Sequence, residues 1–172
     1  FLMAVLFTSD LHFGHLNAIG FDNRPFDSVE HMTEELIRRW NEKVKPGDLV
    51  YVSAGTYNFE KTSQITLTDV SIIAEEGTVI NSAVNSPSDK VLYIYATGEE
   101  NILIKNITVN AAQTKGDIWV KYENVTGNEC NVVFENVNAK SALVDNGYID
   151  GVNVNVDIVN CKINKFTVDG WI

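Results

Sequence analysis

Asn101-Ile-Leu-Ile-Lys-Asn-Ile-Thr-Val109, Asn131-Val-Val-Phe-Glu-Asn-Val-Asn-Ala139 and Asn155-Val-Asp-Ile-Val-Asn-Cys-Lys-Ile163 follow one pattern, asparagine at the first and sixth positions with apolar residues at the second, fourth, seventh and ninth. The copies start 30 and 24 residues apart, a spacing that belongs to stacked repeats. Asp69-Val-Ser-Ile-Ile73, 32 residues before Asn101, reads as a weaker first copy. Alternation with period two means strands. The pattern therefore predicts that Ile102/Ile104, Val132/Phe134 and Val156/Ile158 point inward and stack from coil to coil. Asn106, Asn136 and Asn160 fall at the bend after each strand. Asparagine tolerates left-handed backbone there and can bond its counterpart in the next coil. The expected fold is all-β: a short right-handed parallel β-helix of about four or five coils, with these three asparagines as a structural ladder.

Working outward, the period-two pattern runs back to Leu49 through runs at Ile65–Leu67, Val70–Ile73 and Leu92–Ile94. It also takes in Ile118–Tyr122, Val132–Val137 and Val152–Ile158. Residue usage changes near Asp48. All three histidines and all three arginines precede it, and 16 of the 19 asparagines follow it. Before it, Ala4–Thr8 is the length of a buried strand. A loop, Ser9-Asp-Leu-His-Phe-Gly-His15, follows, and then Val29, Met32, Leu36, Trp40 and Val44 form one helical stripe. Asp27 and Glu30 have the spacing of a capping box, and Pro46-Gly47 ends the helix. The expected organisation is a β-loop-α segment over residues 1–47, its stripe covering the first coil, and a solenoid over 48–172. The chain breaks off mid-pattern at Phe166-Thr-Val-Asp-Gly-Trp-Ile172. The reading at that end is a truncation or a coil covered by a partner, with self-association through the uncapped coil as one outcome.

Composition excludes several classes. Among 172 residues, 45% are hydrophobic and 21% charged, as in globular chains. No apolar run reaches the roughly 18 residues of a membrane helix, and the opening FLMAVLF lacks a signal peptide's basic flank. A net charge of −10 would repel nucleic-acid phosphates. Neither a membrane nor a nucleic acid is an expected partner. Two cysteines, Cys130 and Cys161, sit in different repeat phases and are expected to be free thiols.

Two resemblances follow. Thr8-Ser-Asp-Leu-His-Phe-Gly-His15, Arg24-Pro-Phe26, Trp40-Asn41 and Val44–Tyr51 together resemble the small bacterial and phage calcineurin-like metallophosphoesterases. That resemblance implies metal-ligand roles for Asp10 and His12, suited to Mn, Fe or Zn. It also implies that a Gly-Asp motif should follow Tyr51. Gly55 stands where the bridging aspartate is expected, and no histidine follows His31. A two-metal hydrolase needs ions about 3.5–4 Å apart, so the fragment reads as degenerate. No resident cofactor is expected beyond weak divalent metal.

Val44-Lys-Pro-Gly-Asp-Leu-Val-Tyr-Val-Ser-Ala-Gly-Thr-Tyr57 and the repeats resemble right-handed parallel β-helix proteins of the pectate-lyase-like group. The two likenesses overlap at Val44–Tyr51, so the chain reads as a chimera of bacterial or phage origin, cytoplasmic or exported within a longer protein. Lyases of this kind use arginine or lysine beside calcium-binding aspartates, and glycosidases use clustered aspartates. After Arg39 there is no arginine, and no Asp-Asp pair occurs. The expected function is thus a non-catalytic binding or surface-display module with polysaccharide as its candidate partner. The alternatives are a metal-dependent phosphoesterase using Asp10 and His12, and a polysaccharide lyase or glycosidase. Asp145, Asp150 and Asp157 are the candidate calcium or ligand carboxylates. Trp119 and Tyr122, with Tyr93, Tyr95 and Tyr148, are candidate stacking residues, although aromatics in strands more often pack.

Overall fold

The computed structural model describes residues 4–8, 16–45, 47–59, 65–97, 101–123, 125, 129–147, 149 and 152–170. The strands are β1 (Val5–Thr8), β2 (Leu49–Val52), β3 (Thr56–Phe59), β4 (Ile65–Thr68), β5 (Ser71–Ser82) and β6 (Lys90–Ala96). They continue with β7 (Ile102–Asn110), β8 (Gly116–Tyr122), β9 (Glu129–Glu135), β10 (Asn138–Asp145), β11 (Asn153–Val159) and β12 (Lys162–Asp169). Every pairing among them is parallel. The chain is a parallel β-solenoid of about four turns.

Its coils share three faces. Sheet A stacks β1, β2, the start of β5, the start of β7, β9 and β11. Sheet B stacks β3, the ends of β5 and β7, and the starts of β10 and β12. Sheet C stacks β4, β6, β8 and the ends of β10 and β12. The register is the one the repeat requires. Ile102 pairs with Val132 and Ile104 with Phe134, and these in turn pair with Val156 and Ile158. Ile102, Ile104, Val132 and Phe134 are all but sealed from solvent, while Ile158 in the last coil is 46% exposed. Burial therefore runs out at β11 and β12.

The bends follow the asparagines. Asn106, Asn136 and Asn160 hold left-handed backbone at φ 59, 54 and 52. That conformation costs most L-residues roughly 1–2 kcal/mol, and asparagine offsets it with local hydrogen bonds. Asp69 precedes β5 at left-handed φ 50, and Ile72 pairs with Ile104 in the register the weaker first copy requires, with Val70 and Ile72 buried. That coil lacks the bend asparagine. Ala74 stands in its place, and β5 takes five residues from Ile73 to Thr78 against two on β7. Gly77, at φ 89, supplies the left-handed residue there.

The N-terminal segment joins the first coil through β1, whose Val5–Thr8 pairs with Leu49–Val52. Asp48 ties the joint by accepting from Ala4 N at 2.9 Å and Lys45 N at 2.8 Å. A short helix α1 (Leu16–Phe21) precedes α2 (Val29–Lys43). α1 was not expected, having too few residues for a stripe. The expected stripe is the less exposed side of α2, with Met32 fully buried and Ile37, off the stripe, exposed. The cap needs correction. Ser28, not Asp27, is the N-cap, its Oγ accepting from His31 N at 3.0 Å. Asp27 instead faces His31 Nδ1 at 3.7 Å. Cys130 and Cys161 form no disulfide with each other, as their different repeat phases predict.

Candidate functional site

Outward side chains on sheets A and B are largely engaged with one another. Asn136 Nδ2 donates to Asn106 Oδ1 at 2.9 Å, and Asn106 Nδ2 to the Ala74 carbonyl at 3.0 Å. Asn160 shares the bend conformation and is exposed. Two further asparagine rows accompany this one. Asn131 donates to Asn101 at 2.7 Å and Asn155 to Asn131 at 3.2 Å. On sheet B, Asn81 donates to Asn58 at 2.8 Å and Asn110 to Asn81 at 3.0 Å. Lys105 and Glu135, at one repeat position, pair at 2.8 Å. Such cross-strand pairs contribute roughly 0.2–1 kcal/mol each.

Sheet C is different. Alternation sends Leu92, Ile94, Ile118, Val120 and Tyr122 inward and Tyr93, Tyr95, Trp119 and Lys121 outward. Tyr93 and Trp119 lie edge-on with ring centroids 5.5 Å apart, and Tyr93 and Tyr95 at 4.4 Å. Two lysines roof these rings. Lys90 Nζ stands 4.2 Å from the Tyr93 centroid and 4.5 Å from that of Trp119, and Lys115 Nζ 4.4 Å from Trp119. An ammonium within about 6 Å of a ring centroid is held by the ring quadrupole. The rings are accordingly covered: Tyr93 is 4% and Trp119 7% exposed. Trp119 Nε1 finds no hydrogen-bond partner among the described residues. Burial pushes the Tyr93 hydroxyl's pKa up, helped by its bond to Tyr95 and by the charges of Glu123 and Asp145. Lys121 sits beside Tyr95 and Asp145 in register and bonds Glu123, which raises its pKa.

The expected ligand residues therefore separate. Trp119 and Asp145 share the outer side of sheet C, where Asp145 is buried and accepts from Gly147 N at 2.8 Å. Tyr122 is a correction. It points into the core, fully buried, its hydroxyl reaching the Asn131 carbonyl at 3.3 Å, because it lies an odd number of residues from Trp119. Asp157 is exposed on sheet A opposite Val133, away from Asp145. Asp150 and Tyr148 lie outside the described residues. The lysine roof was not foreseen, because Lys90 and Lys115 lie at β6 and β8 starts where no repeat aligns them.

Asp10, His12 and His15 also lie outside the described residues. Beyond the C-terminal ends of β1 and β2, Phe7, Thr8, Tyr51, Ser53 and Glu75 line an open depression of about 430 Å³. Its carboxylate, Glu75, accepts from Ala54 N at 2.9 Å and from Tyr51 OH at 3.5 Å. Gly55 offers no donor atom beyond its backbone, whose carbonyl accepts from Val79 N. Ser53, Ala54 and Gly55 thus bring no carboxylate or imidazole to this depression. Among the described residues, no three His, Cys, Asp or Glu side chains converge.

No family model matches the chain. No solved structure matches it either. It is 51% identical over 43 residues to an uncharacterized protein of Methanocaldococcus jannaschii, a stretch that spans 25% of this chain and 24% of that relative.

Proposed function

We propose that this chain is a non-catalytic solenoid module that binds an acidic polysaccharide across the outer side of sheet C. The observation that carries this reading is the pair of ammonium groups, Lys90 and Lys115, held over Trp119 and Tyr93 in a chain of net charge −10. The two ammonium groups suit the carboxylates of uronate sugars, and the covered rings beneath hold them in place. The asparagine rows and the Lys105–Glu135 pair support the non-catalytic part, since their polar atoms bond the next coil. In this reading the architecture is that of the pectate-lyase-like group, and residues before about 48 are a metallophosphoesterase remnant supplying an extra strand to the first coil.

The test is electrophoresis through gels containing polygalacturonate, alginate or a neutral glucan. The acidic gels should retard the protein and the neutral one should not. Equal mobility in all three, or release of unsaturated uronate by pure protein, contradicts the reading.

A further inference from the structure

Outside the asparagine repeat, Lys90, Lys115, Lys140 and Lys165 recur every 25 residues. The spacing alone does not align them; the register does. Lys90 pairs with Gly116, next to Lys115, and Lys165 pairs with Ser141, next to Lys140. Ser141 Oγ accepts from Asp117 N at 3.0 Å, which joins the two pairs. Each of four successive coils thus sets one lysine at the corner where sheet B gives way to sheet C. Lys115, Lys140 and Lys165 are exposed and Lys90 is half-buried. Coils rise by about 4.8 Å, so the stripe is roughly 14 Å long.

The charge of this stripe is not cancelled locally. Among the described residues the lysines in ion pairs are Lys105 and Lys121, neither of which belongs to it. Two carboxylates lie beside it. Asp117 is buried and accepts from Thr114 Oγ, Lys140 N and Ser141 N. Asp89 is exposed and accepts from Ser88 Oγ at 3.4 Å. Four positive charges against two negative leave a local positive surplus in a chain of net charge −10. Glu123, Asp145 and Asp169 stand at the opposite ends of the sheet C strands. Asp145 and Asp169 lie four residues along from Ser141 and Lys165, roughly 13 Å, which exceeds the screening length of about 8 Å.

We infer that this stripe seats the acidic polysaccharide along the solenoid axis, one uronate carboxylate per coil, with Lys140 and Lys165 as binding residues beyond the Lys90–Lys115 pair. The inference rests on the proposed function and gives that ligand its direction and length. One pyranose unit advances a linear chain by about the rise of one coil, so successive carboxylates meet successive ammonium groups. The flexible four-carbon stems let each ammonium follow a carboxylate on either flank of the chain. Contacts along one ligand chain reinforce one another, since the first holds the others at high effective concentration. A thin glycan chain meets the stripe alone, whereas a DNA duplex or an anionic membrane would press phosphates against the acidic remainder of the protein.

Retardation of the whole chain in polygalacturonate gels, with oligogalacturonates of increasing length as competitors, tests this. Lys165→Glu and Lys140→Ala/Lys165→Ala should each weaken retention about tenfold. Lys43→Ala/Lys162→Ala, which removes two exposed lysines elsewhere, should match wild type. Competition should strengthen with each added unit up to about four and then level off. Lys140 Nζ also bonds the Ala111 and Ala112 carbonyls, so circular dichroism accompanies each variant, and Lys165→Glu carries the test if the double variant unfolds. Retention unchanged in Lys165→Glu overturns this inference and leaves glycan binding at Lys90 and Lys115 standing. Absence of wild-type retention overturns both. Equal or tighter binding to duplex DNA or to phosphatidylserine vesicles overturns the choice of ligand.

Discussion

Asn136 donates from Nδ2 to Oδ1 of Asn106 at 2.9 Å, and both residues hold left-handed backbone, at φ 54 and 59. One residue type thus serves two needs at the bend: it accepts the conformation and it bonds the next coil. The two contributions can be separated. Asn136→Gly keeps the conformation and loses the bond, at about 1 kcal/mol. Asn136→Ala loses the bond and adds backbone strain, for a total of about 2–3 kcal/mol. Urea unfolding followed by circular dichroism measures both, and equal losses would contradict the division.

Phe134 and Ile158 occupy one inward column, paired across β9 and β11, yet Phe134 is sealed and Ile158 is 46% exposed. Phe134→Ala should cost about 3–5 kcal/mol through the cavity it leaves. Ile158→Ala should cost less than about 1 kcal/mol, because much of the side chain is already in water. Similar losses at both positions would mean that something covers the last coil in solution.

The period-two pattern made the solenoid legible because sheet A uses the same phase in successive coils, so Ile102, Val132 and Val156 align by sequence alone. β3, β10 and β12 were not legible. β10 turns the corner from sheet B to sheet C, so its buried residues run Ala139, Ala142, Val144, with a step of three at Lys140 that breaks alternation. The row Asn58, Asn81, Asn110 was hidden for a related reason. Its members lie 23 and 29 residues apart in unlike local sequences, and register alone brings them together. Trp119 and Tyr122 read alike as strand aromatics because a residue type carries no phase, and register turns the first outward and the second inward. Lys90 and Lys115 are long side chains whose destination depends on the neighbouring coil, which no local pattern encodes.

Asp48 accepts two backbone N–H bonds, from Ala4 and Lys45, and these hold its pKa below the ordinary 3.8. A carboxylate whose folded pKa is depressed contributes stability above its unfolded pKa and loses it as pH falls through the folded value. The melting temperature of wild type should therefore exceed that of Asp48→Asn at neutral pH. The gap should close as pH drops below 3.8. A gap that stays constant through acid would show that the charge on Asp48 contributes nothing.

In the proposed reading Asp10 and His12 are only a partial ligand set, with Gly55 where a bridging carboxylate would be needed. Hydrolysis of bis-p-nitrophenyl phosphate with added manganese should be the same background rate in wild type and His12→Ala. Protein purified without added metal should hold it below one equivalent. A rate lost in His12→Ala, or stoichiometric transition metal, would restore the phosphoesterase alternative.

In the proposed function Lys90 and Lys115 present the glycan-binding surface. Retardation in a polygalacturonate gel, measured for wild type, Lys90→Ala/Lys115→Ala and Lys162→Ala, tests it most directly. Lys162 begins β12 on sheet B and is exposed, so its variant shows whether loss of any surface lysine weakens retention. The double variant should be retained about tenfold more weakly, ~1.4 kcal/mol from two charge contacts. Lys162→Ala should match wild type. Retention that falls equally in both variants, or in neither, would contradict binding at sheet C.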